Sequence, residues 1–120
     1  MDALIPAEAR ALCRVDEIED GGAKGFEPAP GGFSGLLAWR SGDEVRVYVN
    51  SCPHIGTPLD WLPDKFMSRD GKYIICATHG AAFAPTTGEC LLGPCKGDYL
   101  DIVKTEIRDG VIYVPKDAGL

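Results

Sequence analysis

Leu36-Leu37-Ala38-Trp39-Arg40-Ser41-Gly42-Asp43-Glu44-Val45-Arg46-Val47-Tyr48-Val49-Asn50 reads as two β-strands, Leu36 to Trp39 and Glu44 to Asn50, joined by the hairpin signal Ser41-Gly42-Asp43. Val45, Val47 and Val49 share one face of the second strand, as a period of two requires. On either side the pattern is the same: short β-type runs separated by turn signals. Upstream lies Leu12 to Val15, and a Gly/Pro-rich stretch from Gly21 to Gly35 interrupts the pattern before the hairpin. Downstream come Tyr73 to Ala77, entered through Asp70-Gly71, then Tyr99 to Val103, Glu106 to Arg108, the turn Asp109-Gly110, and Val111 to Val114 closed by Pro115. Helical periodicity is weak and confined to Pro6 to Leu12, and Pro63 to Met67 has room for a short turn of helix at most. The architecture expected is all-β, a sandwich or small barrel, without repeats.

The chain has 120 residues, the size of one domain, which is expected to span residues 1–120. Fifteen Gly and nine Pro make one residue in five a turn former, and 45% hydrophobic content suffices for a packed core. Eighteen acidic residues against twelve basic ones give a net charge of −6, a poor match to phosphate backbones or anionic lipid. Nucleic acid and membrane are therefore not expected partners. No apolar run reaches bilayer length, and Met1 to Arg10 has neither a basic lead nor an apolar core. A soluble, cytoplasmic protein is the expectation.

In that compartment five cysteines, Cys13, Cys52, Cys76, Cys90 and Cys95, read as metal-binding or reactive thiols rather than a disulfide framework. The two histidines, His54 and His79, each lie within three residues of a cysteine, in Cys52-Pro53-His54 and Cys76-Ala77-Thr78-His79. Glycine follows each pair within two residues, at Gly56 and Gly80, which suits loops that turn two side chains toward one point. Thiolate and neutral imidazole suit both zinc and iron, and two such loops supply four ligands. Two Cys and two His make an ordinary tetrahedral zinc site. Zinc motifs usually pair Cys with Cys and His with His, however, whereas each loop here offers one of each. That suits a two-metal core in which one iron takes both cysteines and the other both histidines.

With these residues the chain resembles the Rieske family. Besides the two Cys/His loops, the likeness includes Phe83, Thr87-Gly88 and Gly93-Pro94, and covers about residues 50–98 as the cluster-binding region. The resemblance implies antiparallel sheets forming a sandwich or small incomplete barrel, with two cluster-binding loops at one end. It implies one 2Fe-2S cluster held by Cys52, His54, Cys76 and His79, the histidines bound through Nδ1, and a third loop at Gly93-Pro94 shielding the cluster. Respiratory-chain members tie the loops together with a disulfide; the matching positions here are Thr57 and Thr78, so that tie is absent. High-potential members carry a serine and a tyrosine where this chain has Ala81 and Phe83. The 21 residues between His54 and Cys76 are longer than is usual in the family, the excess being Trp61 to Asp70.

The charge arithmetic of such a site favours electron uptake. Two thiolates cancel an oxidised core of charge +2, so reduction takes the site from neutral to −1, whereas four thiolates would take it from −2 to −3. The function implied is a soluble one-electron carrier passing electrons from a flavin- or nicotinamide-type reductase to a terminal oxygenase or other redox enzyme, and not an enzyme in itself. A Rieske oxygenase would need a further mononuclear iron site, for which the chain lacks both histidines and length. Alternatives are a tightly bound subunit similar to the small subunit of nitrite reductase, a redox sensor, or a zinc-stabilised binding module. Cys13 is expected in the core, and Cys90 and Cys95 as ordinary thiols with Cys90 partly buried. Trp61 is expected to pack over the long inter-ligand segment, and Asp60, Asp64 and Asp70 to be solvated or to form an acidic docking patch.

Overall fold

The structure, a computed structural model, describes residues 9–26, 35–51, 66–68, 71–76, 81–93 and 96–115. The described residues form ten strands: β1 (Ala9–Arg14), β2 (Ala23–Phe26), β3 (Leu36–Ser41), β4 (Glu44–Val49), β5 (Ile74–Cys76), β6 (Ala81–Phe83), β7 (Cys90–Leu92), β8 (Ile102–Val103), β9 (Glu106–Arg108) and β10 (Val111–Pro115). All pairings are antiparallel, in three sheets ordered β1-β10-β9, β2-β3-β4-β8 and β5-β6-β7. The only other regular element among the described residues is a single 3₁₀ turn at Val15–Glu17.

The four-stranded sheet is the middle layer, and β3 shows why. Leu36, Leu37, Ala38 and Trp39 are all buried, so this strand is apolar on both faces rather than alternating. On one face Leu36, Ala38, Val45, Val47 and Val103 pack with Ile18, Ile112 and Val114 toward the β1-β10-β9 sheet. On the other, Leu37, Trp39 and Tyr48 pack with Phe66, Ile74, Cys76, Ala81, Phe83, Cys90 and Leu100 toward the β5-β6-β7 sheet. Val49 joins the first of these cores, so the three valines do share a face.

Two turns follow directly from local chemistry. Ser41 pairs with Glu44 across Gly42-Asp43, and φ is +60° at Gly42 alone, which is the arrangement of a II′ hairpin turn. Arg108 pairs with Val111 across Asp109-Gly110, where φ is +51° and +77°; positive values at both central residues make a I′ turn, the one Asp-Gly favours.

Several elements depart from the reading of the sequence. Ala9 to Leu12 are not helical but lie in β1: Ala11 pairs with Tyr113 and Cys13 with Ile112, so Leu12 is the extra residue of a bulge. Within the Gly/Pro-rich interruption, Ala23–Phe26 pair with β3, and backbone bonds from Gly21 N to the Arg40 carbonyl (2.9 Å) and from Arg40 N to the Gly22 carbonyl (3.0 Å) fix the register. Of the expected helical turn, Phe66 and Met67 are not helical, Met67 being bridged to Ile74, while residues 63–65 lie outside the described residues. Of Tyr99 to Val103 only Ile102–Val103 is strand; Tyr99 makes an isolated bridge to Glu89.

Candidate metal centre

Each expected ligand loop leaves from a strand. β4 ends at Val49, whose N–H donates to the Asp101 carbonyl at 2.9 Å, and Asn50 N donates to the Gly35 carbonyl at 2.9 Å, so the chain is held on both sides two residues before Cys52. Cys76 is the last residue of β5 and is completely buried. It pairs with Ala81, the first residue of β6, leaving the four positions 77–80, His79 among them, as the connection between two paired residues.

The next strand brings the third loop alongside. Ala82 pairs with Leu92, which places Gly93 across from Ala81, and a Cβ built on Gly93 would lie 2.8 Å from the Ala81 Cα. Gly93 has φ +103°, a conformation that favours glycine. Cys76, Ala81 and Gly93 therefore form one row across the sheet, joining the base of the second expected ligand loop to the start of the Gly93-Pro94 segment.

Of the four expected ligands, Cys76 alone lies within the described residues; Cys52, His54 and His79 lie outside them, as do Thr57, Trp61, Asp60, Asp64, Asp70, Thr78, Pro94 and Cys95. Among the described residues no three His, Cys, Asp or Glu side chains converge on one point. What the structure does show of Cys76 fits a metal thiolate. Its face is apolar, shared with Ile74, Ala81 and Phe83, and no buried polar or charged residue occurs among the described ones. Burial in apolar surroundings disfavours a free thiolate, and binding to a metal cation offsets that cost.

The other cysteines differ. Cys90 pairs with Phe83, is completely buried rather than partly, and its thiol donates to the Leu92 carbonyl at 3.3 Å. Cys13 is half-buried against the opposite core. Burial, reinforced by Glu17, pushes its thiol up to about 11, so it stays protonated at neutral pH.

Reading the sequence assigned no role to Arg46 or Tyr48, yet both reach the β5-β6-β7 sheet. The Tyr48 hydroxyl donates to the Pro85 carbonyl at 2.6 Å, and Arg46 Nε donates to the Thr86 carbonyl at 3.2 Å. Their alternation with Val45, Val47 and Val49 was the available signal, since it places them together on the opposite face of β4.

The description of the Rieske [2Fe-2S] domain matches residues 8–108. Ferredoxin CarAc of Metapseudomonas resinovorans is 26% identical over 103 residues, covering 86% of this chain and 89% of that protein. A chain of the complex of reduced oxygenase and oxidised ferredoxin in carbazole 1,9a-dioxygenase superposes with a TM-score of 0.71 at 25% identity, covering 91% of this chain and 94% of that one. The Sphingomonas yanoikuyae B1 ferredoxin does so with a TM-score of 0.69 at 25% identity, over 88% and 96%. Paired Cys/His loops, a buried Cys76 at the mouth of a three-stranded sheet and a match over most of the chain together show that it belongs to the Rieske [2Fe-2S] domain family, with one Rieske-type 2Fe-2S cluster as its cofactor.

Proposed function

We propose that this protein is a ferredoxin that carries single electrons from a flavin- or nicotinamide-type reductase to a terminal oxygenase. The observation that carries this reading is the extent of its likeness: ferredoxins of similar length align over 89% to 96% of their chains, at 25% to 26% identity. One relative's structure is a complex of reduced oxygenase and oxidised ferredoxin, which supports an oxygenase as the class of acceptor. Cys52 and Cys76 would hold one iron, and His54 and His79 the other. The bound cluster supplies a one-electron couple. The chain's own part is to bury Cys76 and to lay Gly93 against Ala81, limiting water at that side of the site. Among the described residues no helix is long and apolar enough to cross a membrane, consistent with a carrier that diffuses in the cytoplasm.

The test is reconstitution. Purified protein, reduced by a ferredoxin reductase, should pass electrons to a Rieske oxygenase, with turnover dependent on this chain. Because the net charge is −6, the transfer rate should change with ionic strength if charge steers the encounter. A rate flat in salt with co-elution of one large partner would instead support a permanent subunit, and stoichiometric zinc without iron would support a binding module.

A further inference from the structure

We infer that Tyr48, assisted by Arg46, is a positioning residue for the metal centre, anchoring the β6–β7 turn so that Gly93 rests against Ala81 beside Cys76. This rests on the reading of Cys76 as a cluster ligand.

Among the described residues the β5-β6-β7 sheet shares no strand pairing with the four-stranded sheet. Its strands have three residues each, and β6–β7 pairing is broken by a register shift between Ala82 and Phe83. So short a ribbon is marginal by itself. It depends on what holds it to the middle layer.

Besides the apolar core it shares with Leu37, Trp39 and Tyr48, the side-chain hydrogen bonds it receives from β4 fall at the turn. Besides the Tyr48 and Arg46 bonds to Pro85 and Thr86, the turn closes through Gly88 N to the Ala84 carbonyl (2.7 Å), and Leu100 N donates to the Gly88 carbonyl (2.8 Å). Gly88, with φ +79°, packs against the Tyr48 ring: a Cβ there would fall 2.9 Å from Cε1. The phenol is thus gripped at its oxygen by one end of the turn and at its ring by the other. Burial, the largest influence, pushes that phenol up to about 12, so it remains a donor throughout the working pH range.

The anchor sits at the far end of the hairpin from the ligand loop. Strand residues advance about 3.3 Å each, so roughly 10 Å separates residue 84 from residue 81. A small tilt about the turn is carried along β7 to Gly93, where the approach to Ala81 leaves no slack. Solvent access and the polar surroundings of the cluster sulfurs follow, and these set its potential and spectrum.

Tyr48→Phe keeps the ring and removes only the hydroxyl, and Arg46→Met is a second, independent variant. Val45→Ala serves as control, since Val45 packs in the opposite core. Iron and sulfide content of the wild type decides the reading of the site separately. In Tyr48→Phe the amides of Cys90, Lys96 and Gly97, which bond within this segment, should exchange roughly three- to tenfold faster. The reduced cluster should show displaced g-values and a shifted midpoint potential. Arg46→Met should shift the same readouts less, and Val45→Ala should lower Tm while leaving them unchanged. Exchange near Gly93, g-values and potential all equal to wild type in Tyr48→Phe, or moved equally by Val45→Ala, would overturn the inference. The exchange arm applies with or without a cluster bound.

Discussion

Gly93 and Ala81 approach so closely across the β6–β7 ladder that a methyl group on Gly93 would stand 2.8 Å from the Ala81 Cα and 3.0 Å from its Cβ. Backbone meets backbone there, so no side-chain rotation can make room. The contact ties the third loop to the strand that begins immediately after the His79 loop.

Gly93→Ala should therefore do more harm than its size suggests. The backbone at φ +103° alone costs an L-residue about 1–3 kcal/mol, and the collision adds to it. Thermal unfolding should show a clear fall in Tm, and iron retention during gel filtration should fall with it. A fully loaded variant of wild-type Tm would show that the segment has room to move.

The same face of β6 bears on the reduction potential. Ala81 and Phe83 are completely buried and neither carries a hydroxyl; among the described residues of this core the one hydroxyl, on Tyr48, is already donated to Pro85. With no hydroxyl donor to the sulfurs from these positions, the potential should lie toward the low end of the Rieske span of about −150 to +300 mV. A charge-assisted hydrogen bond contributes roughly 1.5–3 kcal/mol, equivalent for one electron to about 60–130 mV. Ala81→Ser and Phe83→Tyr should each raise the potential in voltammetry by an amount of that order. A wild-type value near the top of the span would mean that other donors serve the sulfurs.

Ligand assignment is tested by composition. Wild-type protein should contain two irons and two labile sulfides and give the EPR signal of a reduced Rieske centre. Alanine at Cys52, His54, Cys76 or His79 should abolish or cripple assembly, because each loss leaves an iron under-coordinated. Serine at Cys13, Cys90 or Cys95 should leave the spectrum intact. Loss of the signal in one of these serine variants would move that residue into the ligand set.

Cys13 carries a pH prediction. Its thiol is raised from 9.0 to about 11 by burial and Glu17, so at pH 8 its thiolate fraction, and with it the alkylation rate, should be about a hundredfold below that of an unperturbed thiol. The sign for stability follows. Below pH 9 both folded and unfolded chains hold this proton, and above it the unfolded chain releases it first, so stability contributed here is lost as pH rises from about 9 through 11. Denaturant midpoints measured across that window should fall less steeply in Cys13→Ser; equal slopes would assign the alkaline loss to other groups.

What the sequence determined by itself is what short-range chemistry controls. Gly42-Asp43 and Asp109-Gly110 specify their turns because positive φ is a property of single residues, and the valines of β4 specify a face because alternation is local. The mixed Cys/His loops likewise announce the family, since a ligand set is written in residue types and spacing. The tertiary structure decided the rest. β2 exists, despite Gly25, because β3 offers it a ladder; β3 is apolar throughout because sheets cover both its faces. Tyr48 reaches Pro85 across 37 positions, and Gly93 meets Ala81 through a register that a bulge displaces. Contacts between residues so far apart in sequence depend on how whole sheets stack, and no local pattern of residues encodes that.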